Sequence, residues 1–468
     1  MSAVFLGFPQ VRHVRAICAQ SPIPAPGAGK FDEVRKIGDA IDTITAFCGA
    51  AIAGIALFLP ITFSWSAETS PYRLASLNNS VPRSAAIGVI VAVAVSVVVI
   101  TFRKPLLGWA AALFGAVAMA INHFAGRRGA SAEMLTTQNY LDAILAGVLL
   151  GALGVAVLRR PGPAAGYVIG AAGFFVYGDF AQVLEIASNN PFAVLEAPPR
   201  WLVSIAVGLL IISTLRNRSR PEQSRSPRIA VELPVTPILA AMVLALVILA
   251  ITEWLARQYQ HAPQVSHAVE IGMAVVATVF AATAAAMLLP GREGIGVYLA
   301  VSVVAVADAI GGEPRPGWSI AVLLAVTVVG LLIGIRLPST FIAILLIVGL
   351  AVFALVKSPH DHSYVTAAAS TALALTIGYC CGTARPRYAP SGVLAISALY
   401  LPSIITALPQ DTAEWPSNGG ADHQTLAGRT ALAIACGSAF GLAMLHRFRP
   451  RGRRKPGQSV DDDSLADI

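Results

Sequence analysis

Arg216-Asn-Arg-Ser-Arg-Pro-Glu-Gln-Ser-Arg-Ser-Pro-Arg228 is the one stretch between the two tails that is both long and strongly basic. Five arginines and two prolines lie between two apolar runs. Such a segment can neither enter hydrocarbon nor build a core, and the positive-inside rule places it in the cytoplasm. The apolar segments on either side take their orientation from it.

Hydrophobic residues make up 56% of the chain and charged residues 12%, and the mean hydropathy is +0.70. Soluble domains hold roughly 45–50% apolar and about 25% charged residues, so the composition is that of an integral membrane protein. The polar connections are too short to hold a soluble domain. Positive-inside topology requires basic cytoplasmic loops, which accounts for the net charge of +8 without a nucleic-acid partner. Five cysteines, Cys18, Cys48, Cys380, Cys381 and Cys436, lie in the first tail or in apolar runs. Neither a disulfide framework nor a zinc spacing follows from them.

A bilayer core of about 30 Å needs roughly 20 apolar residues per helix. Scanning for such runs predicts about fourteen spans and an all-α, polytopic helix bundle. Six precede the basic stretch, near Ile41–Trp65, Ser84–Phe102, Pro105–Ala125, Asn139–Leu158, Pro163–Ala187 and Pro199–Leu215. Eight follow it, near Pro234–Leu255, Ser266–Leu289, Gly294–Ile310, Gly317–Ile335, Pro338–Val356, Ser363–Gly382, Ser391–Leu408 and Thr425–His446. The expected organisation is a flexible cytoplasmic tail (1–40), a first transmembrane group (41–215), a basic cytoplasmic loop (216–233), a second group (234–446) and a basic then acidic cytoplasmic tail (447–468).

With both termini inside, the cytoplasmic connections carry Arg103 and Lys104, Arg159 and Arg160, the central five arginines, Arg292, Arg336, and Arg385 and Arg387. Together with the tails these segments hold 24 of the 33 lysines and arginines. The inverted topology would reverse that bias. Arg-Lys-Pro at 103–105, Arg-Arg-Pro at 159–161 and Arg-Leu-Pro at 336–338 form a recurring theme. It reads either as a proline at the start of the next helix or as a duplicated helical hairpin. The connection Phe102-Arg103-Lys104-Pro105 is too short for the Gly, Asp and Arg signature of major-facilitator transporters, which counts against that family.

Ionisable groups inside an apolar span cost about 2.5–3.5 kcal/mol at mid-helix, so each is a candidate functional residue. Asp142, Asp179, Glu185, Glu253, His267, Glu270 and Asp308 all map to the outer leaflet or its edge, as do Asn122, His123 and Arg429. Asp179, Gln182 and Glu185 follow one another at i+3 and share one helix face. His267 and Glu270 are likewise i+3, and a histidine beside a carboxylate exchanges protons near neutral pH. Clustered, these groups would line an acidic outer vestibule suited to a cation, a proton or a basic solute, with Arg429 as counter-charge or anion anchor. For any one of them the plainer reading is a polar group near a helix end that reaches water.

His360-Asp361-His362 is a weak metal candidate, since no further ligand is suitably spaced. Gly-xxx-Gly pairs at 147–151, 166–170, 330–334, 378–382 and 437–441 read as close helix packing within the chain. No phosphate-binding glycine loop, Gly-x-Ser-x-Gly elbow or His-Glu-x-x-His motif is present, and no cofactor site is indicated. So many spans with almost no soluble mass make the bundle itself the working part. The leading expectation is a carrier or exporter of a small molecule or lipid-linked substrate in the cell membrane. The alternatives are a non-catalytic membrane subunit of an envelope biogenesis or secretion assembly, with a protein partner, and a membrane-embedded transferase using a lipid-linked donor.

Overall fold

The computed structural model describes residues 28–64, 71–102, 104–124, 132–173, 198–218, 235–261, 267–311, 318–356, 363–408 and 420–449. The chain is an all-α, multi-pass membrane protein. The helices among the described residues are α1 (Ala28–Ser64), α2 (Pro71–Thr101), α3 (Pro105–Phe124), α4 (Ala132–Val157), α5 (Pro161–Ala172), α6 (Arg200–Arg218) and α7 (Thr236–His261). They continue as α8 (Ala268–Leu288), α9 (Ile295–Ile310), α10 (Trp318–Arg336), α11 (Thr340–Val356), α12 (Ser363–Ala384), α13 (Ala389–Ser397) and α14 (Gly420–Phe448).

Each predicted span overlaps a helix among the described residues, though Pro163–Ala187 is described only to residue 173, and eleven of these segments are long and apolar enough to cross a membrane. α9 and α11 are apolar but shorter, with 16 and 17 residues. Prolines begin α3 and α5 as expected, because a missing N–H costs nothing in the first turn. Two starts lie earlier than hydropathy places them. α1 begins at Ala28, ahead of Ile41, and α2 begins at Pro71 and carries Pro82 within it. Hydropathy marks the apolar part of a helix, not its polar extension.

One expected span is not a continuous helix. Ser391–Leu408 divides into α13, a 3₁₀ turn at Ala398–Tyr400, extended backbone at Leu401, and a second 3₁₀ turn at Ile404–Ala407. Pro402 supplies the reason, since it has no N–H to donate and disfavours the α conformation of the residue before it. In lipid, such irregular backbone is tolerated only where protein covers it. Here 94% of the segment's apolar window is buried.

This broken segment and α9 form the centre of the bundle. α9 is buried along nearly its whole length from Gly296 to Val306, and it packs on α8, α11, α12, α13 and α14. α13 also meets α2, α4 and α5 of the first group. The fully buried Tyr400 reaches across and donates to the Ala171 carbonyl at 2.8 Å.

The Gly-xxx-Gly pairs meet other helices of the same chain. A Cβ on Gly151 of α4 would lie 2.1 Å from the Ala92 carbonyl oxygen of α2, which fixes how closely those two backbones approach. α10 and α12 approach one another in the same way.

Candidate substrate site

Side chains expected on the same side of the membrane meet one another, which gives the bundle an arginine-rich end and an opposite end. At the opposite end the polar groups form pairs that step from helix to helix. On α3 and α4, Asn122 Nδ2 donates to Asp142 Oδ1 at 2.6 Å, and His123 Nε2 lies 3.6 Å from Asp142 Oδ2. Asp142 and His123 are 4% and 1% exposed, so the group is sealed from solvent. One turn before Asp142, Asn139 donates to Ser84 of α2 at 3.1 Å.

Next to Ser84, Arg83 reaches α7 and holds Glu253 with two bonds, Nε to Oε1 at 2.6 Å and Nη2 to Oε2 at 2.9 Å. Arg257 joins Glu253 at 3.4 Å as an i, i+4 pair. On α8, His267 is buried, lies 3.9 Å from Glu270 and sets its ring edge-on to Tyr259 of α7, with centroids 4.5 Å apart.

Asp308 stands apart from these pairs and nearer the centre. Its carboxyl lies beside Ser403 at the break after Pro402. A small cavity beside the break is lined by Ser403 and Pro402 together with Ile248, Thr278, Val301 and Ile434. Ile248, Thr278 and Ile434 fall near the middle of α7, α8 and α14, so the break lies level with the middles of those helices.

The sequence candidates therefore fall into several places. Asp142, Glu253, His267 with Glu270, and Asp308 sit in four separate groups. Arg429 is exposed on α14 and, among the described residues, enters no ion pair; the arginines that meet a candidate carboxylate are Arg83 and Arg257, both at Glu253. Asp179, Gln182, Glu185, His360, Asp361 and His362 lie outside the described residues. Among the described residues no three His, Cys, Asp or Glu side chains come together as a metal-holding group.

The arginine-rich end holds two constructions that sequence reading missed. Asp42 of α1, fully buried, receives Arg160 at 2.6 Å, Arg216 at 2.8 Å and Asn217 at 3.3 Å, while Asp39 lies 3.4 Å from Arg160. Gly38 leaves room for the Arg216 guanidinium, which a Cβ there would meet at 2.7 Å. In the second group, arginines cover the free carbonyls of helix C-termini. Arg449, just past α14, donates to Met287 and Gly291 at 2.7 and 2.6 Å, and also to Leu289, at the end of α8. Arg292, just past α8, donates to Arg449 O at 2.7 Å at the end of α14.

Arg385 donates to Ile335 O at the end of α10. Glu293 takes the opposite part, accepting from the backbone N–H groups of Arg387 and Tyr388 at the start of α13 at 2.9 and 3.4 Å. Burial pushes its carboxyl above the ordinary value of 4.5, and the two N–H bonds only partly offset this.

No known family model matches the chain, and no curated protein matches it. Solved structures similar to it include a bacterial homologue of the human drug peptide transporters PepT1 and PepT2, 14% identical, with a TM-score of 0.45 over 89% of this chain and 98% of that one. The proton:xylose symporter XylE of the major facilitator superfamily is 14% identical, with a TM-score of 0.44 over 91% and 97% of the two chains. XylE from E. coli in a partially occluded inward-open conformation is 10% identical, with a TM-score of 0.45 over 88% and 100%. Likeness at this level carries no argument about family or substrate.

Proposed function

We propose that the chain is a secondary carrier or exporter in the cell membrane, with its arginine-rich end in the cytoplasm. The observation that carries this reading is the discontinuous segment from α13 to Ala407, buried near the middle of the bundle, with Asp308 beside Ser403 at its break. Carriers place substrate and coupling-ion sites near the midplane, at unwound helices whose freed backbone groups serve as ligands. An intramembrane carboxylate at such a break is suited to a proton, a metal cation or a cationic group of the substrate. The pairs at Glu253 and Glu270 supply polar groups for an entrance on the outer side, to which Asp179 and Glu185 would add.

The test is the thermal stability of the purified protein against a panel of ions, amino acids, sugars, nucleosides and lipid precursors. A ligand at 100 times its dissociation constant stabilises the folded state by about 2.7 kcal/mol if it does not bind the unfolded one. We expect a shift that disappears in Asp308→Asn and weakens in Ser403→Ala. Glu270→Gln and Asp179→Asn examine the entrance in the same assay. An undiminished shift in Asp308→Asn would remove the break from the mechanism. Copurification with a stoichiometric protein partner and no shift with any compound would favour an assembly subunit.

A further inference from the structure

A second cavity lies toward the arginine-rich end, where the two helix groups meet. Leu158, just past α4, and Val168 of α5 form one wall; Gly296 and Val303 of α9, with Cys380 and Cys381 of α12, form much of the rest. It leaves about 50 Å³ for the centre of a water-sized sphere. Every lining residue is apolar except the two thiols. No charged side chain lines it, and Arg385, between the lining residues Ala384 and Pro386, is turned onto the end of α10. A charged ligand would find no partner there and would bear its full desolvation cost, and water would find few polar atoms to bond. A void in a close-packed interior forfeits dispersion contacts, which a hydrocarbon group restores.

We infer that this cavity binds an uncharged, apolar group: the end of a lipid chain or a small hydrophobic solute. The inference concerns what the cavity holds and does not depend on transport. Cys380 and Cys381 on its wall report occupancy, and Cys436, exposed on α14, reports the bilayer alone.

The experiment uses the full chain in phosphatidylcholine nanodiscs, in one variant keeping only Cys380 and Cys381 and another keeping only Cys436. Alkylation by N-ethylmaleimide is timed with 1-octanol or with octanoate of equal length. Octanol should slow alkylation of Cys380 and Cys381 at least fivefold, octanoate less than twofold, and neither should slow Cys436. Across shorter alcohols the apparent affinity should rise about fourfold per methylene until the cavity is full. A rate already low in nanodiscs, raised by a fluorinated surfactant and lowered again by added lipid, identifies a lipid chain as the occupant. Equal rates in both media identify a free solute.

Ala300→Leu, or Ala384→Val at the rim if the first fails to fold, fills the space and should abolish the octanol effect. Equal protection by octanoate, equal slowing of Cys436, or protection by neither alcohol nor lipid would overturn the inference. Thiols unreactive in every condition, with no octanol-dependent thermal shift, would overturn it as well.

Discussion

The two ends of the bundle use charge differently. At the opposite end, side chains pair with side chains of neighbouring helices, as in Asn122 with Asp142 and Arg83 with Glu253. At the arginine-rich end the second group turns its arginines onto backbone carbonyls at helix C-termini, while the first group builds a side-chain cluster around Asp42. A guanidinium on a C-terminus satisfies orphan carbonyls and meets the negative end of the helix dipole. Arginines that the positive-inside rule would place in the cytoplasm thus also lock helix ends together. The exposed Arg83–Glu253 pair lacks that anchoring and separates at a smaller cost, which the proposed carrier would use to admit a solute.

The largest break in this comparison is expected at Asp42. Removing one partner of a buried ion pair costs about 3–5 kcal/mol, so Asp42→Asn should lower stability by that amount in thermal or steric-trapping measurements. A loss below about 1 kcal/mol would mean that Arg160 and Arg216 are well solvated without Asp42. Arg449→Ala comes next. It strips charge-assisted bonds from the end of α8, and about 1.5 kcal/mol is expected because part of the guanidinium meets water. If α8 keeps its hydrogen-exchange protection in that variant, the carbonyls have other partners.

Glu293 sharpens the comparison through pH. A carboxyl whose folded pKa is raised binds more protons folded than unfolded, so its contribution is fully present below 4.5 and is lost as pH rises through the folded value. Thermal scans from acid to neutral pH should show Glu293→Gln gaining on the parent protein as pH rises; a constant difference would contradict the shift. The smallest effect belongs to the exposed Arg83–Glu253 pair. A double-mutant cycle with Arg83→Ala and Glu253→Gln should give a coupling of about 0.2–1 kcal/mol that shrinks with salt. A coupling above about 2 kcal/mol would make it a fixed brace, not a parting contact.

The helices were legible because each is written locally. The apolar run of α11 and the Arg-Pro punctuation before α5 need no knowledge of the rest of the chain. His267 with Glu270 was legible as an i+3 contact, but the pairs between helices were not. Arg83 and Glu253 are 170 residues apart, and Asp42 and Asn217 are 175 apart. Asp42 near the start of a span carries the same signal as any solvated helix end. The break at Leu401–Ser403 had one visible sign, Pro402, but hydropathy averages over a single proline and returns one continuous span.

In hydrocarbon every backbone group must be satisfied within its own helix. The sequence by itself therefore determined how many helices form, that they cross a membrane, and which ends lie together. Lateral contact carries no such local signature, since lipid tails are as apolar as leucine and partners are chosen by shape and by isolated polar groups. Only the tertiary structure decided that Arg83 meets Glu253, that Arg160 and Arg216 share Asp42, that Asp308 meets the unwound backbone at Ser403, and that an apolar cavity remains beside Cys380 and Cys381.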